Sequence, residues 1–125
     1  MAYLLDTHVL LWWLDDSSHL SKEAREFLSS PRRTFFVSSA TAWEIAIKKR
    51  LGKLSAPDNL EVALEANGFE SLPITISHAL AIEKLPRHHD DPFDQMLIAQ
   101  AKTEHLTIVT HDKFFSRYDV LIHLV

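Results

Sequence analysis

His88-His89-Asp90-Asp91-Pro92-Phe93-Asp94-Gln95-Met96-Leu97-Ile98-Ala99-Gln100-Ala101 changes character partway along: three carboxylates in five positions give way to an apolar, helix-forming run. Asp91-Pro92 reads as a helix start, with Asp91 at the N-cap and Pro92, which has no N–H to lose, at the first helical position. Asp94 then falls at the third helical position, where a carboxylate answers free backbone N–H groups and the positive helix end. For any one aspartate, cap chemistry of this kind is explanation enough. A catalytic reading gains ground only if other carboxylates converge on the same place, and the flanking chain must supply them.

On the C-terminal side the helix runs from Pro92 to about Glu104, followed by a strand over Leu106-Thr107-Ile108-Val109-Thr110. His111-Asp112-Lys113-Phe114-Phe115 starts a short helix, and Val120-Leu121-Ile122 gives a last strand. On the N-terminal side, Ser77 to Leu85 reads as a helix stopped by Pro86. Ser71-Leu72-Pro73-Ile74-Thr75 is a weak strand whose proline favours a sheet edge. Asp58-Asn59 opens a helix that ends near Asn67-Gly68. The chain begins with an apolar strand, Ala2-Tyr3-Leu4-Leu5, ending at Asp6, after which Thr7 is expected to cap a helix over His8 to Asp15. Ser21 opens a second helix, broken by Pro31-Arg32-Arg33, and Thr34-Phe35-Phe36-Val37 is a second strand. Ser38 or Ser39 caps a third helix, about Ala40 to Leu51, with Trp43, Ile47 and Leu51 as its expected buried stripe and Gly52 as its end. Trp12 and Trp13 are adjacent, so a helix points them about 100° apart. Core packing is expected of the pair, with at least one at the edge of the core or in an interface. Strands alternating with helices define an α/β fold around a mostly parallel sheet.

Composition bounds the chemistry. At 125 residues the chain is expected to form one domain, residues 1–125, with a core that needs no staples. The absence of cysteine excludes disulfides and thiolate metal sites. Two glycines exclude a glycine-rich phosphate loop. A net charge of −4 gives no broad basic footprint for nucleic acid, although a bound cation offsets phosphate charge locally. No signal-peptide pattern or membrane-length apolar run is seen, so a cytoplasmic protein is the default expectation.

In such a fold strands end, and the next helices begin, at one edge of the sheet. Asp6 ends the first strand, Glu44 lies near the start of the third helix, and Asp94 sits in the first turn of its own. That helix carries the chain about 20 Å to the far edge at 1.5 Å per residue. The Leu106–Thr110 strand returns about 17 Å, leaving Asp112 at the starting edge. Four carboxylates are therefore expected at the carboxyl edge, where open α/β sheets bind ligands. Singly, each has a plain role: Asp6 in a turn, Glu44 in an exposed i,i+4 pair with Lys48, and Asp94 and Asp112 as caps. Together they repel one another unless a cation intervenes. Hard oxygen ligands without thiolates suit Mg²⁺ or Mn²⁺, and the chemistry they suit is phosphodiester hydrolysis by an activated water. His8, His88, His89 and His111 near the same edge offer a rival imidazole–carboxylate site for Zn²⁺, Mn²⁺ or Fe, but none forms a helical ligand pair. Each reads first as a solvent-exposed or supporting histidine. His88 and His89, beside Arg87, could also meet substrate phosphates.

Asp6-Thr7-His8 after the first strand, Ser39-x-x-x-Trp43-Glu44-Ile45, Asp91-Pro92-Phe93-Asp94 with Leu97-Ile98-Ala99-Gln100-Ala101, and Thr110-His111-Asp112 together resemble PIN-domain ribonucleases, and most closely the VapC-type toxins of bacterial toxin–antitoxin pairs. The ordered set spans Leu5 to Phe115. The resemblance implies strand order 3-2-1-4-5 and a Mg²⁺-dependent endoribonuclease site built on Asp6, Glu44, Asp94 and Asp112. Thr7 and Thr110 are then supporting groups, and Asp91 a helix cap with a supporting role. It also implies a homodimer, a cognate antitoxin whose C-terminal segment covers the site, and operator DNA bound only through the antitoxin. Gln95 departs from the pattern, since many relatives carry arginine there. Two other carboxylate–Mg²⁺ folds fail on the residues. A phosphoacceptor receiver needs an acidic pair after the first strand and an aspartate ending the third, and a haloacid-dehalogenase-type phosphatase needs Asp-x-Asp where Asp6-Thr7-His8 stands. A metal-dependent DNA nuclease and a non-catalytic PIN-like scaffold are the surviving alternatives.

Overall fold

The computed structural model describes residues 1–88 and 90–125; His89, one of the histidines considered for phosphate contact, lies outside the described residues. Five parallel strands, β1 (Ala2–Leu5), β2 (Thr34–Ser38), β3 (Glu70–Leu72), β4 (Thr107–Thr110) and β5 (Ile122–Leu124), form one sheet in the order 3-2-1-4-5. Six helices connect or flank them: α1 (Thr7–Leu14), α2 (Lys22–Leu28), α3 (Ser39–Arg50), α4 (Leu60–Ala66), α5 (Ile76–Ala81) and α6 (Pro92–Glu104). The expected α/β class and strand order are both observed. The weak third strand is shorter than expected and does lie on an edge, with Pro73 just beyond it. The last strand starts two residues later than expected, at Ile122. Ile82–Lys84 and Lys113–Arg117 are 3-10 turns rather than α-helix.

Alternation along the strands sorts the core onto two faces. Tyr3 and Leu5 of β1, Phe35 and Val37 of β2, and Val109 of β4 pack with Val9, Leu10, Ala24 and Leu28 from α1 and α2. Leu4 and Ile108 point the other way, onto Leu97, Ile98 and Ala101 of α6. The central strand is buried on both sides, which is why it reads as an unbroken apolar run rather than an alternating one. The sheet is thus the middle of three layers.

The helix starts follow local chemistry. Ser21 caps α2 through Ala24 N, Ser38 caps α3 through Ala40 N, and Asn59 caps α4 through Val62 N. Asp91 accepts from the N–H groups of Phe93 (2.8 Å) and Asp94 (3.2 Å), with Pro92 at the first helical position, as its sequence required. Two expectations are corrected. Asp6, not Thr7, is the N-cap of α1, so Thr7 is freed to turn inward. The buried residues of α3 are Ala40, Thr41, Glu44 and Ile45, whereas Trp43 and Leu51 are each 58% exposed. Small residues on the inner side of α3 let Thr41 Oγ1 come within 3.1 Å of Thr7 Oγ1, a buried hydroxyl pair joining α3 to α1. Apolar periodicity pointed to the wrong face because the inner face of α3 covers the polar end of the sheet, not its core.

Candidate active site

The parallel register brings the strand ends together. Leu5 pairs with Val109, so the next residues, Asp6 and Thr110, lie side by side at the carboxyl edge. Asp6 is 5% exposed and its two oxygens have different duties. Oδ2 accepts the Thr110 hydroxyl at 2.6 Å, and Oδ1 accepts weakly from His8 N at 3.4 Å. Burial pushes the Asp6 carboxyl above its ordinary pKa of 3.8, the Thr110 hydrogen bond and His8 pull it down, and the nearby Glu44 charge adds to the rise. Burial is the largest of these influences.

Glu44, the sixth residue of α3, is 4% exposed at the same edge. Its partner is Lys48, one turn on. The pair anticipated from the i,i+4 spacing therefore exists, but with the carboxylate buried rather than exposed. The hydrogen bond to Glu44 raises the Lys48 pKa, and the charges of Asp91 and Asp94 raise it further. Lys48 is thus a shared counter-ion for carboxylates from α3 and from the start of α6. Asp94 is half-buried in the first turn of α6.

Asp112 is exposed and lies two residues beyond the end of β4. Its N–H donates to Thr110 Oγ1 (3.0 Å), and its Oδ1 accepts from Phe114 N (2.9 Å), which caps the 3-10 turn. Thr110 therefore ties Asp6 and Asp112 together through one hydroxyl. Asp6, His8, Trp12, His111, Asp112 and Lys113 line one open cleft of about 350 Å³.

The four carboxylates predicted to share the edge are all found there, in two linked groups: Asp6 with Asp112 through Thr110, and Glu44 with Asp94 and Asp91 around Lys48. The Asp6–Glu44 interaction connects the groups. Among the described residues no three His, Asp or Glu side chains close into a metal-ligating cage. The donor set still fits a divalent cation of the Mg²⁺ type, which keeps several waters and is held by one or two carboxylates together with substrate phosphates. The observation that favours such a fit is geometric: Asp6 and Asp112 reach one open cleft and are tied together through Thr110. Of the rival imidazole set, His8 and His111 line the cleft, while His88 packs edge-on against Tyr118 (5.2 Å) and is not among the lining residues. One cleft residue, Lys113, carries no signal in the sequence beyond a short helix. His19, which stacks on Trp12, carries none either, because it comes near only when the chain after α1 folds back over that ring.

An open, all-parallel α/β sheet with a cleft at its carboxyl edge has that cleft where such sheets bind ligands. The family model described as the PIN domain matches residues 3–121, and the chain belongs to that family. No curated protein matches it in sequence. Its fold is shared with VapBC2 from Rickettsia felis bound to a DNA fragment from its promoter (TM-score 0.76, 18% identity, 100% of this chain and 99% of that chain covered). It is also similar to DNA-bound VapBC from Salmonella typhimurium (TM-score 0.66, 22% identity, 98% and 97% covered). A third similar structure is FitAcB from Neisseria gonorrhoeae (TM-score 0.62, 21% identity, 98% and 96% covered). Among the described residues no helix is long and apolar enough to cross a membrane.

Proposed function

We propose that this protein is a metal-dependent endoribonuclease, the toxin of a toxin–antitoxin pair, acting in the cytoplasm as a single PIN domain over residues 1–125. The observation that carries the reading is Asp6: a buried carboxylate, held by Thr110 and facing the charge of Glu44, at the end of the central strand. Family membership and the toxin–antitoxin complexes that share the fold support it.

In this reading Asp6, Glu44, Asp94 and Asp112 hold Mg²⁺, with Mn²⁺ as a substitute. The bound ion would supply Lewis acidity toward the phosphate and a water of lowered pKa. The chain's residues do the rest. Thr110 fixes the Asp6 carboxylate by donating to Oδ2 and orients Asp112 by accepting its N–H. The Thr7–Thr41 pair holds α1 against α3, so that Asp6 and Glu44 keep their spacing. Asp91 sets the start of α6 and thereby the place of Asp94. Lys48 neutralises Glu44 and can turn toward a substrate phosphate when a cation takes its place. The partners are an RNA substrate, an antitoxin whose segment covers the cleft, and a second copy of this chain, with operator DNA engaged only through the antitoxin.

The test is cleavage of total cellular RNA by purified protein free of antitoxin, with Mg²⁺, with chelator, and with Asp6→Asn and Asp94→Asn as controls. Discrete fragments from wild type in Mg²⁺ alone are expected. A folded Asp94→Asn protein with full metal-dependent activity would remove the mechanism. Cleavage of DNA but not RNA would replace the substrate, and no cleavage of either would leave a binding-only scaffold.

A further inference from the structure

The carboxyl-edge cleft has a second wall, made of rings rather than carboxylates. Trp12 and Trp13 are neighbours on α1 yet serve different surroundings. Trp13 turns toward α4, packing on Phe69 (centroids 6.4 Å apart) and donating Nε1–H to Asn67 Oδ1 at 2.9 Å. Trp12 lines the cleft with Asp6, Asp112 and Lys113. Three imidazoles surround it: His19 stacked at 4.8 Å and 8° between planes, His111 edge-on at 5.4 Å, and His8 at 6.1 Å. Two of these rings are held in place. His19 Nδ1 shares a hydrogen bond of 2.8 Å with Ser17 Oγ, and His111 Nδ1 donates to the main-chain oxygen of Val125 at 2.7 Å. Trp12 packs partly on the core yet stays half-buried, and it keeps a surface in an open cleft whose size is at the lower end of small-ligand sites.

We infer that Trp12 is the seat for a nucleobase of a single-stranded substrate, placed so that the adjoining phosphate lies at Asp6 and Asp112 with Lys113 beside it. The inference rests on the nuclease reading above and adds how substrate is held. Its physical ground is electrostatic. A chain of net charge −4 with carboxylates in its cleft gains little from long-range attraction to a polyanion, so a contact that does not depend on charge adds to what a bound cation supplies locally. Base–aromatic stacking is such a contact, and it tolerates any sequence because every base has a π-face. His19 already stacks on one face of the indole, so a base takes the surface that Trp12 keeps toward the cleft or displaces the His19 ring.

The test is fluorescence anisotropy of an end-labelled, short single-stranded RNA and of a matching strand carrying abasic sites, in Mg²⁺, with each strand checked for intactness by gel after the reading. Wild type should bind the base-bearing strand roughly ten- to a hundred-fold more tightly than the abasic one. Trp12→Ala should lose that preference, Trp12→Phe should keep most of it, and Trp13→Phe should bind as wild type. Equal binding of the two strands by wild type overturns the inference without any variant, so a Trp12→Ala protein that fails to fold leaves the test intact. Wild-type-like RNA binding by a folded Trp12→Ala protein also overturns it, as does loss of antitoxin binding alone, which would assign the ring cluster to the protein partner. If wild type binds neither strand and cleaves no RNA, the nuclease reading falls with it; cleavage without base preference sinks this inference alone.

Discussion

α6 belongs to two buried polar clusters, and they behave in opposite ways. Further along the helix, Gln100 and Glu104 meet His78 of α5, which is 1% exposed. There the groups answer one another. Thr75 N–H donates to His78 Nδ1 (3.0 Å), which fixes the proton on Nε2, and Nε2 donates to Glu104 Oε2 (2.8 Å). Gln100 Nε2 donates to the Pro73 carbonyl at 3.4 Å. At the other end of the helix, the charge of Asp94 bears on Lys48, the partner of Glu44, and the charge of Glu44 raises the pKa of Asp6. One cluster satisfies most of its polarity internally, leaving Gln100 Oε1 without a hydrogen-bond partner among the described residues, and acts as a strut between α5 and α6. The other holds more carboxylate charge than Lys48 alone balances, which suits a ligand that brings positive charge.

The largest effect that could break this contrast is at Asp6. Asp6→Asn should reduce metal-dependent cleavage about 10³-fold or more, the equivalent of several kcal/mol of lost transition-state stabilisation. The same change should raise the melting temperature of metal-free protein at neutral pH. The sign follows from the raised pKa: the fold favours the protonated carboxyl, so the stability cost is absent below the unfolded value of 3.8 and grows as pH rises through the folded value. Melting curves of wild type and Asp6→Asn across mildly acidic to neutral pH should therefore diverge as pH rises; parallel curves would mean that Asp6 is already compensated.

His78→Ala tests the strut. Removing a buried ring and three hydrogen-bonding relationships should cost about 3 kcal/mol in urea unfolding, with activity per folded molecule retained. A stable variant without activity would make the strut part of the site. Lys48→Met comes next. It leaves Glu44 buried without its cation, so metal-free stability should fall by about 1–2 kcal/mol, and added Mg²⁺ or Mn²⁺ should raise the melting temperature more than in wild type. The smallest effect is expected from Thr7→Val, which orphans the Thr41 hydroxyl and should cost about 1 kcal/mol. No loss there would show that a water satisfies Thr41 equally well.

How much of this was legible in the sequence varied with the range of the interaction. The start of α6 could be read outright, because Asp91 caps N–H groups only two and three residues away and Pro92 permits one position. Placement of Asp6 and Asp112 at one edge followed from counting the rise of α6 and β4, and the Thr110 link between them is a consequence of register. The face of α3 could not be read. Its inward side is chosen by α1 and the carboxylate edge, which are remote in sequence, so a buried Glu44 and an exposed Trp43 contradict the apolar pattern. Trp43 instead rests edge-on against Phe93 at 5.1 Å, across from α3 to α6. The separation of Trp12 from Trp13 was visible as an angle, but their surroundings were not, since Phe69, His19 and His111 come from three different segments.

The central position of β1 has a consequence for the order of events at the ribosome. Asp6 and Thr110, whose side chains meet in the finished protein, lie 104 positions apart. At about 5–20 residues per second of synthesis, the aspartate waits roughly 5–20 s for the threonine to be made. Until then β1 lacks one of its two neighbours, and long-range parallel pairing is slow to form even when both are present. A nascent or prematurely terminated chain therefore carries Asp6 and Glu44 without the strand that joins Asp6 to Asp112. Its cleft is completed only after β4 has been made.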